Sequence, residues 1–209
     1  MADWVTISSL ATAGGTLVLA GATFAAVRSA NRSTRLAEQS LLAGLRPLLI
    51  SSRMDDPPQK VYFVDGKYVV APGGQAGLDA TDEAIYLGIA LRNAGSGIAV
   101  LHGWTMLTTE VRQLDHRPLE EFTRLTRDLY LGAGSLGYWQ GSFRDPSSEE
   151  FIEALRVIRE REQFGIEILY GDEEGGQRRI SRFGVLPRGE REWLAEAGRH
   201  WNLDRADPR

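Results

Sequence analysis

The chain has 209 residues, a formal net charge of −4 and no cysteine. Without cysteine it can form no disulfide, no thiolate metal site and no cysteine nucleophile. The charge is unevenly distributed, because residues 28–54 carry +4 and residues 55–209 carry −7. Binding to nucleic acid requires a concentrated basic face, so we expect no nucleic-acid partner.

The first 45 residues predict a membrane anchor followed by a helical stalk. Residues 4–27 contain no charged side chain. As a helix this segment would reach about 36 Å, more than the roughly 30 Å of a bilayer's hydrocarbon core. No helix breaker follows before Pro47, so we expect the helix to continue. We place the anchor at residues 1–27 and the stalk at residues 28–45.

Three arginines just after the apolar segment set the expected orientation. Arg28, Arg32 and Arg35 are expected to stay on the cytoplasmic side and to contact lipid headgroups of the bilayer. A cleaved secretory signal is the alternative, but the segment lacks the usual basic start. We therefore expect a single-pass protein of the cell membrane, with its N-terminus outside and its C-terminal domain in the cytoplasm.

The apolar segment also carries small residues at a spacing that favours helix packing. Ala11 and Gly15, and likewise Gly21 and Ala25, are four residues apart. This spacing places each pair on one helix face and lets two backbones approach closely in lipid. We expect these residues to contact either a second copy of the chain, giving a homo-oligomer, or a partner transmembrane helix.

From Pro47 onwards, short apolar and β-branched runs alternate with turn clusters, a pattern typical of antiparallel strands. The nine predicted strands are 48–52, 60–64, 67–70, 85–91, 98–109, 128–131, 137–143, 164–170 and 178–186. Asp65-Gly66, between the second and third runs, is a strong hairpin signal. We also expect hairpins between the fourth and fifth, the sixth and seventh, and the last two runs, and a loop over residues 71–83.

Two helices are predicted beyond the stalk. The letters SSEE at 147–150 resemble the start of a capping box and precede an apolar stripe. Trp193, Ala197 and Trp201 recur every four residues and predict a terminal helix over 190–200. We assign residues 187–209 to this helix and a tail.

Helices are missing between most of the strands, which argues against a parallel α/β sheet. The predicted fold class is mainly β: an antiparallel immunoglobulin-like β-sandwich over residues 46–186 with one or two short helices. The transmembrane helix and its stalk precede this domain.

No motif predicts a reaction. Residues 132–137 match the GxGxxG letters of a dinucleotide site, but a strand-like run follows where a helix N-terminus would have to hold the phosphates. His102, His116 and His200 lack the spacing of a zinc site. We therefore expect no metal, no cofactor and no catalytic residue.

The aromatic residues suggest a contact surface instead. Tyr138, Trp139 and Trp201, together with His200, are a candidate surface for an unknown protein partner if their side chains are exposed together. The alternative is that these residues pack in the core and at its edge.

Four short motifs give the chain a resemblance. They are Arg46-Pro47, NAGSGIA at 93–99, Tyr170-Gly171-Asp172 and RHWNLD at 199–204. Through them the chain resembles uncharacterised bacterial single-pass membrane proteins with a cytoplasmic immunoglobulin-like β-sandwich domain. The resemblance implies the same architecture and no particular activity.

These observations favour a membrane-anchored cytoplasmic binding or scaffolding module with no catalytic activity. One alternative is a membrane-tethered enzyme of unknown reaction, with a site around residues 132–137 and nearby acids or His102. The other is an extracytoplasmic sandwich, which a reversed topology would produce.

Overall fold

The structure, a computed structural model, describes residues 3–108 and 114–204. The chain divides into two compact units, Met1–Gly44 and Leu45–Arg209. Among the described residues, the first unit is helix α1 (Trp4–Gly44), and the second contains α2 (Glu149–Arg159), a 3-10 turn (Leu119–Glu121) and the strands. The strands are β1 (Leu49–Ser51), β2 (Gln59–Tyr62), β3 (Tyr68–Ala71), β4 (Ala76–Ala80), β5 (Ile85–Asn93), β6 (Ala99–Leu107), β7 (Thr123–Leu131), β8 (Leu136–Phe143), β9 (Phe164–Gly171), β10 (Arg179–Arg188) and β11 (Glu192–Asn202).

Helix α1 is long and apolar enough to cross a membrane. The stretch that meets this requirement is Thr12–Glu38, with a mean hydropathy of 1.2, and it overlaps the predicted anchor over residues 12–27. Thr12, Thr16 and Thr23 each donate their hydroxyl to the carbonyl four residues earlier. These polar groups are therefore satisfied within the helix, which lowers the cost of placing them in lipid.

The first sheet is built around β5. Strand β8 pairs antiparallel along nearly the whole of β5, from Ile85 opposite Phe143 to Arg92 opposite Leu136. The short strands β1 and β4 also pair antiparallel with β5, at opposite ends of it. Because a strand has only two edges, β1 and β4 must share the edge that β8 leaves free.

The second sheet has the order β11-β10-β9-β6-β7 and is antiparallel throughout. Its β9–β10 pair is the predicted last hairpin, with Phe164 opposite Val185 and Tyr170 opposite Arg179. The domain is therefore mainly β with antiparallel sheets, as expected.

One core lies between the inner faces of the two sheets. It follows from alternation, since every second residue of a strand points to the same face. The buried side chains include Ile85, Leu87, Ile89 and Leu91 of β5 and Phe164, Ile166, Ile168 and Tyr170 of β9. Helix α2 adds Phe151, Ala154 and Val157 to the same core. Ser148 caps this helix by accepting a hydrogen bond from the amide of Phe151, which confirms the predicted helix start.

The β2–β3 hairpin forms around Asp65-Gly66, as predicted, and makes a smaller second core with the outer face of β5. Val61 and Val69 pack there against Tyr86. Gly66 has a φ of 81°, a left-handed conformation that a glycine adopts without strain.

Two predicted hairpins are wrong. The chain crosses from the first sheet to the second between β5 and β6, and it crosses back between β7 and β8. Glycine-rich turns of similar composition occur both in hairpins and in connections that cross between sheets, so turn residues alone do not identify the partner strand.

The predicted loop over residues 71–83 is also wrong in part, because it contains β4. Gly77 allows that strand to approach closely, since a Cβ there would lie 2.2 Å from the carbonyl oxygen of Val70.

The predicted terminal helix over 190–200 is wrong, because this segment forms β11. It pairs with β10 from Glu192 opposite Arg188 to Asn202 opposite Arg179. A spacing of four residues is also a multiple of the two-residue period of a strand, so the aromatic spacing fitted both structures. The predicted tail covers residues 203–209, of which 205–209 lie outside the described residues, as does Thr109 at the end of the fifth predicted strand.

Candidate functional site

A cavity of about 820 Å³ opens between the first turns of α2 and the ends of β6, β7 and β8. Ligand pockets in proteins typically have volumes of roughly 300–1,000 Å³. The described lining residues are Trp104, Thr105, Met106, Thr108, Glu121, Thr123, Ser142, Phe143, Arg144, Asp145, Ser148, Glu149, Glu150, Ile152 and Glu153. We call this cavity the acidic cleft, because five of its six charged side chains are carboxylates.

Aromatic side chains form an apolar wall of the acidic cleft. The ring of Trp104 meets that of Phe143 edge to face, with centroids 5.2 Å apart, and meets that of Trp139 at 5.1 Å. Gly141 makes this packing possible, because a Cβ there would lie 2.6 Å from the Trp139 ring. Edge-to-face pairs favour one ring geometry, so this wall is formed in advance of any ligand.

The carboxylates of the cleft are only partly neutralised. Arg144 is the single cation among the described lining residues, and it lies 3.4 Å from the carboxylate of Asp65, which is not part of the lining. Glu149 and Glu150 are exposed and form no ion pair within the described part of the chain. The cleft therefore has a negative potential that attracts cations.

Two of these carboxyl groups have lowered pKa values. Ser147 donates hydrogen bonds from its hydroxyl and its amide to Asp145, which lowers the pKa of that carboxyl. Hydrogen bonds from Arg156 lower the pKa of Glu153 in the same way. General acid catalysis near neutral pH requires a raised pKa. These groups stay ionised, so they suit electrostatic binding of a cation better than proton transfer.

The cleft was not predicted from the sequence. One signal was present, because residues 142–150 place an aromatic ring, a capping serine and three carboxylates within nine positions. The other wall comes from Trp104 on β6 and Thr123 on β7. Only the pairing of strands distant in sequence brings these residues to α2.

The three histidines lie in separate surroundings. His200 Nδ1 is 2.6 Å from Ser181 Oγ, which is also 2.9 Å from the hydroxyl of Tyr170. Ser181 is fully buried, so its hydroxyl cannot reach a substrate. Partial burial lowers the pKa of the His102 imidazole on β6. Within residues 3–108 and 114–204, no three His, Asp or Glu side chains group closely enough to hold a metal ion.

In the glycine-rich segment 132–137, residues 132–135 form the turn between β7 and β8, and residues 136 and 137 begin β8. The polar backbone groups of the turn are already used, because the amide of Gly134 donates to the carbonyl of Asn93 and the carbonyl of Ser135 accepts from the amide of Asn93. A strand follows the turn, so no helix N-terminus is available for a phosphate. The acidic cleft lies at the opposite end of β8.

A buried ion pair lies on the outer face of the second sheet. Glu167 is fully buried and Arg182 is 5% exposed. The guanidinium of Arg182 donates to Glu167 at 2.6 and 2.9 Å, and the amide of Arg117 donates to the same carboxylate at 2.9 Å. The ring of Trp201 covers Arg182 at 4.9 Å and meets the ring of His116 edge to face. Neither residue lines the acidic cleft, and both side chains are buried, so we interpret the pair as structural.

The predicted aromatic partner surface does not assemble. Trp139 is fully buried in the core and Trp201 is only 7% exposed. Tyr138 and His200 are half-buried and belong to different sheets. Both tryptophans serve packing, which is the alternative that the sequence left open.

On α1 the predicted packing residues Gly15, Gly21 and Ala25 are exposed, while the side chain of Ala11 lies outside the described part of the structure. A Cβ at either glycine would meet no atom within 4 Å, so a second helix has room to approach there.

The arginines of α1 lie on one helix face. Arg28, Arg32 and Arg35 are exposed, and their spacing of four and three residues places them in a single row. The stretch Thr12–Glu38 includes them, whereas the predicted anchor ends just before them.

Several of the motifs behind the resemblance meet where the chain leaves α1. Arg46 donates to the side-chain oxygens of Gln177 and Asn202 at 3.0 and 3.2 Å. The buried side chain of Asn93 makes four hydrogen bonds, to the backbone of residues 48, 95, 97 and 131. A Cβ on Gly97 would lie 1.7 Å from the carbonyl oxygen of Leu45. These residues fix the first strand to the rest of the domain.

A scan against models of known protein families finds no match, and a search of curated proteins finds none either.

Proposed function

We propose that this protein is a membrane-anchored binding module whose acidic cleft takes a cationic segment of a protein partner. The observation that carries the proposal is the cleft itself: five carboxylates and one arginine beside an aromatic wall, in about 820 Å³. An arginine or lysine side chain combines a cation with an apolar stem, so it can pair with the carboxylates and pack on the accessible parts of Phe143 and Ile152.

The module has no catalytic activity in this proposal. The pKa values of Asp145 and Glu153 in the cleft are lowered, and fixed negative charge favours binding a cation. We interpret the two sheets around one core as an immunoglobulin-like sandwich, a fold that commonly presents binding surfaces.

The anchor and its orientation are part of the same proposal. Helix α1 provides a span, and Arg28, Arg32 and Arg35 retain its C-terminal side in the cytoplasm by the positive-inside rule. The cleft then faces cytoplasmic partners. Gly15 and Gly21 offer a packing face for a second copy or a partner helix.

The binding proposal is tested with full-length protein in nanodiscs and a fluorescein-labelled hexa-arginine peptide as the probe. Replacing Glu149 and Glu150 with lysine is expected to weaken binding at least about tenfold, because two unpaired carboxylates become cations. The matched control replaces Glu173 and Glu174 with lysine as well, because both residues are exposed on the β9–β10 turn. If this control weakens binding equally, net charge rather than the cleft binds the peptide and the proposal fails.

The orientation is tested by single cysteines, because the chain has none of its own. With cysteine in place of Glu173, a membrane-impermeant maleimide is expected to label the protein only after the cells are permeabilised. Labelling of intact cells would place the domain outside the cytoplasm.

A further inference from the structure

The β2–β3 hairpin has apolar side chains on both of its faces. One face forms the second core with β5, as described above. The other is open to solvent, where Tyr62 is 47% exposed, Val64 68%, Tyr68 51% and Val70 47%. An antiparallel pair with one buried face normally carries polar residues on the other. We call these four residues, with Lys60, the hairpin outer face; Lys67 lies next to it, in the turn between β2 and β3.

The hairpin is also positively charged, on its outer face and at its turn. Lys60 and Lys67 are the only lysines of the chain, and both are exposed. The ammonium of Lys60 lies 4.1 Å from the ring centre of Tyr68 and 5.1 Å from that of Tyr62. On the flank, Arg127 donates to the carbonyl of Tyr62 at 3.2 Å.

The one acidic residue of the hairpin turn does not cancel this charge. Asp65 accepts a hydrogen bond from the hydroxyl of Tyr86 and pairs with Arg144 at 3.4 Å. The hairpin is therefore a basic area on a part of the chain, residues 55–209, that carries −7.

This composition matches a bilayer surface with anionic lipid. Tyrosine rings prefer the membrane–water interface, lysine stems lie along apolar surface while their ammonium groups reach water, and anionic headgroups attract both lysines. The tether is short enough: residues 28–44 of α1 reach about 25 Å as a helix. A compact domain of about 165 residues has a radius of gyration of about 15 Å and hence a diameter of about 40 Å, which exceeds the length of the tether, so its surface can reach the bilayer.

We propose that the hairpin outer face docks on anionic lipid of the membrane that α1 crosses. The inference rests on the anchoring part of the proposed function and is independent of the acidic cleft. Docking holds the domain on the bilayer surface by a second contact, in addition to the covalent link through α1.

The test uses the full chain in nanodiscs of phosphatidylcholine with or without phosphatidylglycerol. A cysteine in place of Val64 is labelled with an environment-sensitive fluorophore, and doxyl-labelled lipids are the quencher. The matched control is a cysteine in place of Ile152, which is 59% exposed on α2. We expect quenching of the label at position 64 in anionic discs and little at position 152.

Replacing Lys60 and Lys67 with glutamine, K60Q/K67Q, is expected to lower the ratio of docked to undocked domain by about fivefold for each lysine and roughly thirtyfold for both. Equal quenching at positions 64 and 152, or quenching that is insensitive to these replacements, overturns the proposal. A blue shift at position 64 without lipid quenching would show that a protein or a second copy covers the face, which also overturns it. A chain that fails to incorporate into discs would instead refute the anchoring.

Discussion

Replacing Arg182 with methionine leaves the buried carboxylate of Glu167 without its cationic partner. The wild-type carboxylate receives two hydrogen bonds from the Arg182 guanidinium, at 2.6 and 2.9 Å, and one from the amide of Arg117. The variant keeps the amide and loses the cation. It also removes the guanidinium that packs against the ring of Trp201.

The expected cost follows from this burial. Glu167 is 0% exposed and Arg182 is 5% exposed, and removing one partner of a buried ion pair costs roughly 3–5 kcal/mol. A typical domain has a free energy of unfolding of about 5–15 kcal/mol. The variant R182M is therefore expected to lose a large fraction of its stability.

The assay is urea unfolding of the full chain in mild detergent, followed by tryptophan fluorescence. The control is R159M, because Arg159 forms an ion pair with Asp82 at 2.8 Å in which the side chains are 56% and 82% exposed. Pairs in such exposed positions contribute roughly 0–1 kcal/mol. The urea midpoint is expected to fall strongly for R182M and little for R159M.

A double variant separates the loss of the pair from the loss of packing. Replacing both Glu167 and Arg182 with methionine removes the orphaned charge, so it is expected to be less destabilising than R182M alone. Unfolding of R182M at the same urea concentration as R159M would refute this expectation. So would a double variant, E167M/R182M, that is less stable than R182M alone.

Three further predictions concern the domain's interior and the start of its first strand. Burial raises the pKa of Tyr170 above its ordinary value of about 10. Above that pH the tyrosine of the unfolded chain releases a proton that the folded domain keeps. The free energy of unfolding therefore falls as the pH rises. Between pH 8 and pH 11, the urea midpoint is expected to fall less for Y170F than for the wild type. N93A leaves four backbone groups without their side-chain partner and is expected to cost at least about 2 kcal/mol in the same unfolding assay; an unchanged midpoint would contradict it. G97A places a Cβ 1.7 Å from the carbonyl oxygen of Leu45 and is expected to lower the thermal midpoint, whereas G44A, with no atom within 4 Å of its Cβ, is expected to keep it.

Local signals predicted the elements whose partners are adjacent in sequence. Asp65-Gly66 joins β2 to β3, and the serine at position 148 starts α2 by capping its first turn. In both cases the residues that decide the structure lie within a few positions of each other. The same kind of signal failed between β5 and β6, because a glycine-rich connection can either return to the same sheet or cross to the other one.

The acidic cleft shows the same limit at the level of the site. Its α2 side comes from one continuous run, but Trp104 and Thr123 belong to strands of the second sheet. Their contact with α2 depends on how the two sheets pack, and no spacing in the sequence encodes it.

By itself the sequence determined the long apolar helix, the charge-free segment with arginines behind it, and the strand-rich character of the rest, because hydrophobicity and turn chemistry are properties of neighbouring residues. Tertiary structure alone decided that the terminal segment pairs as β11, that Trp139 and Trp201 are buried, and that carboxylates gather beside an aromatic wall. Strand pairing and burial arise from contacts between residues far apart in the chain, and those contacts select one arrangement among several that the same local pattern allows.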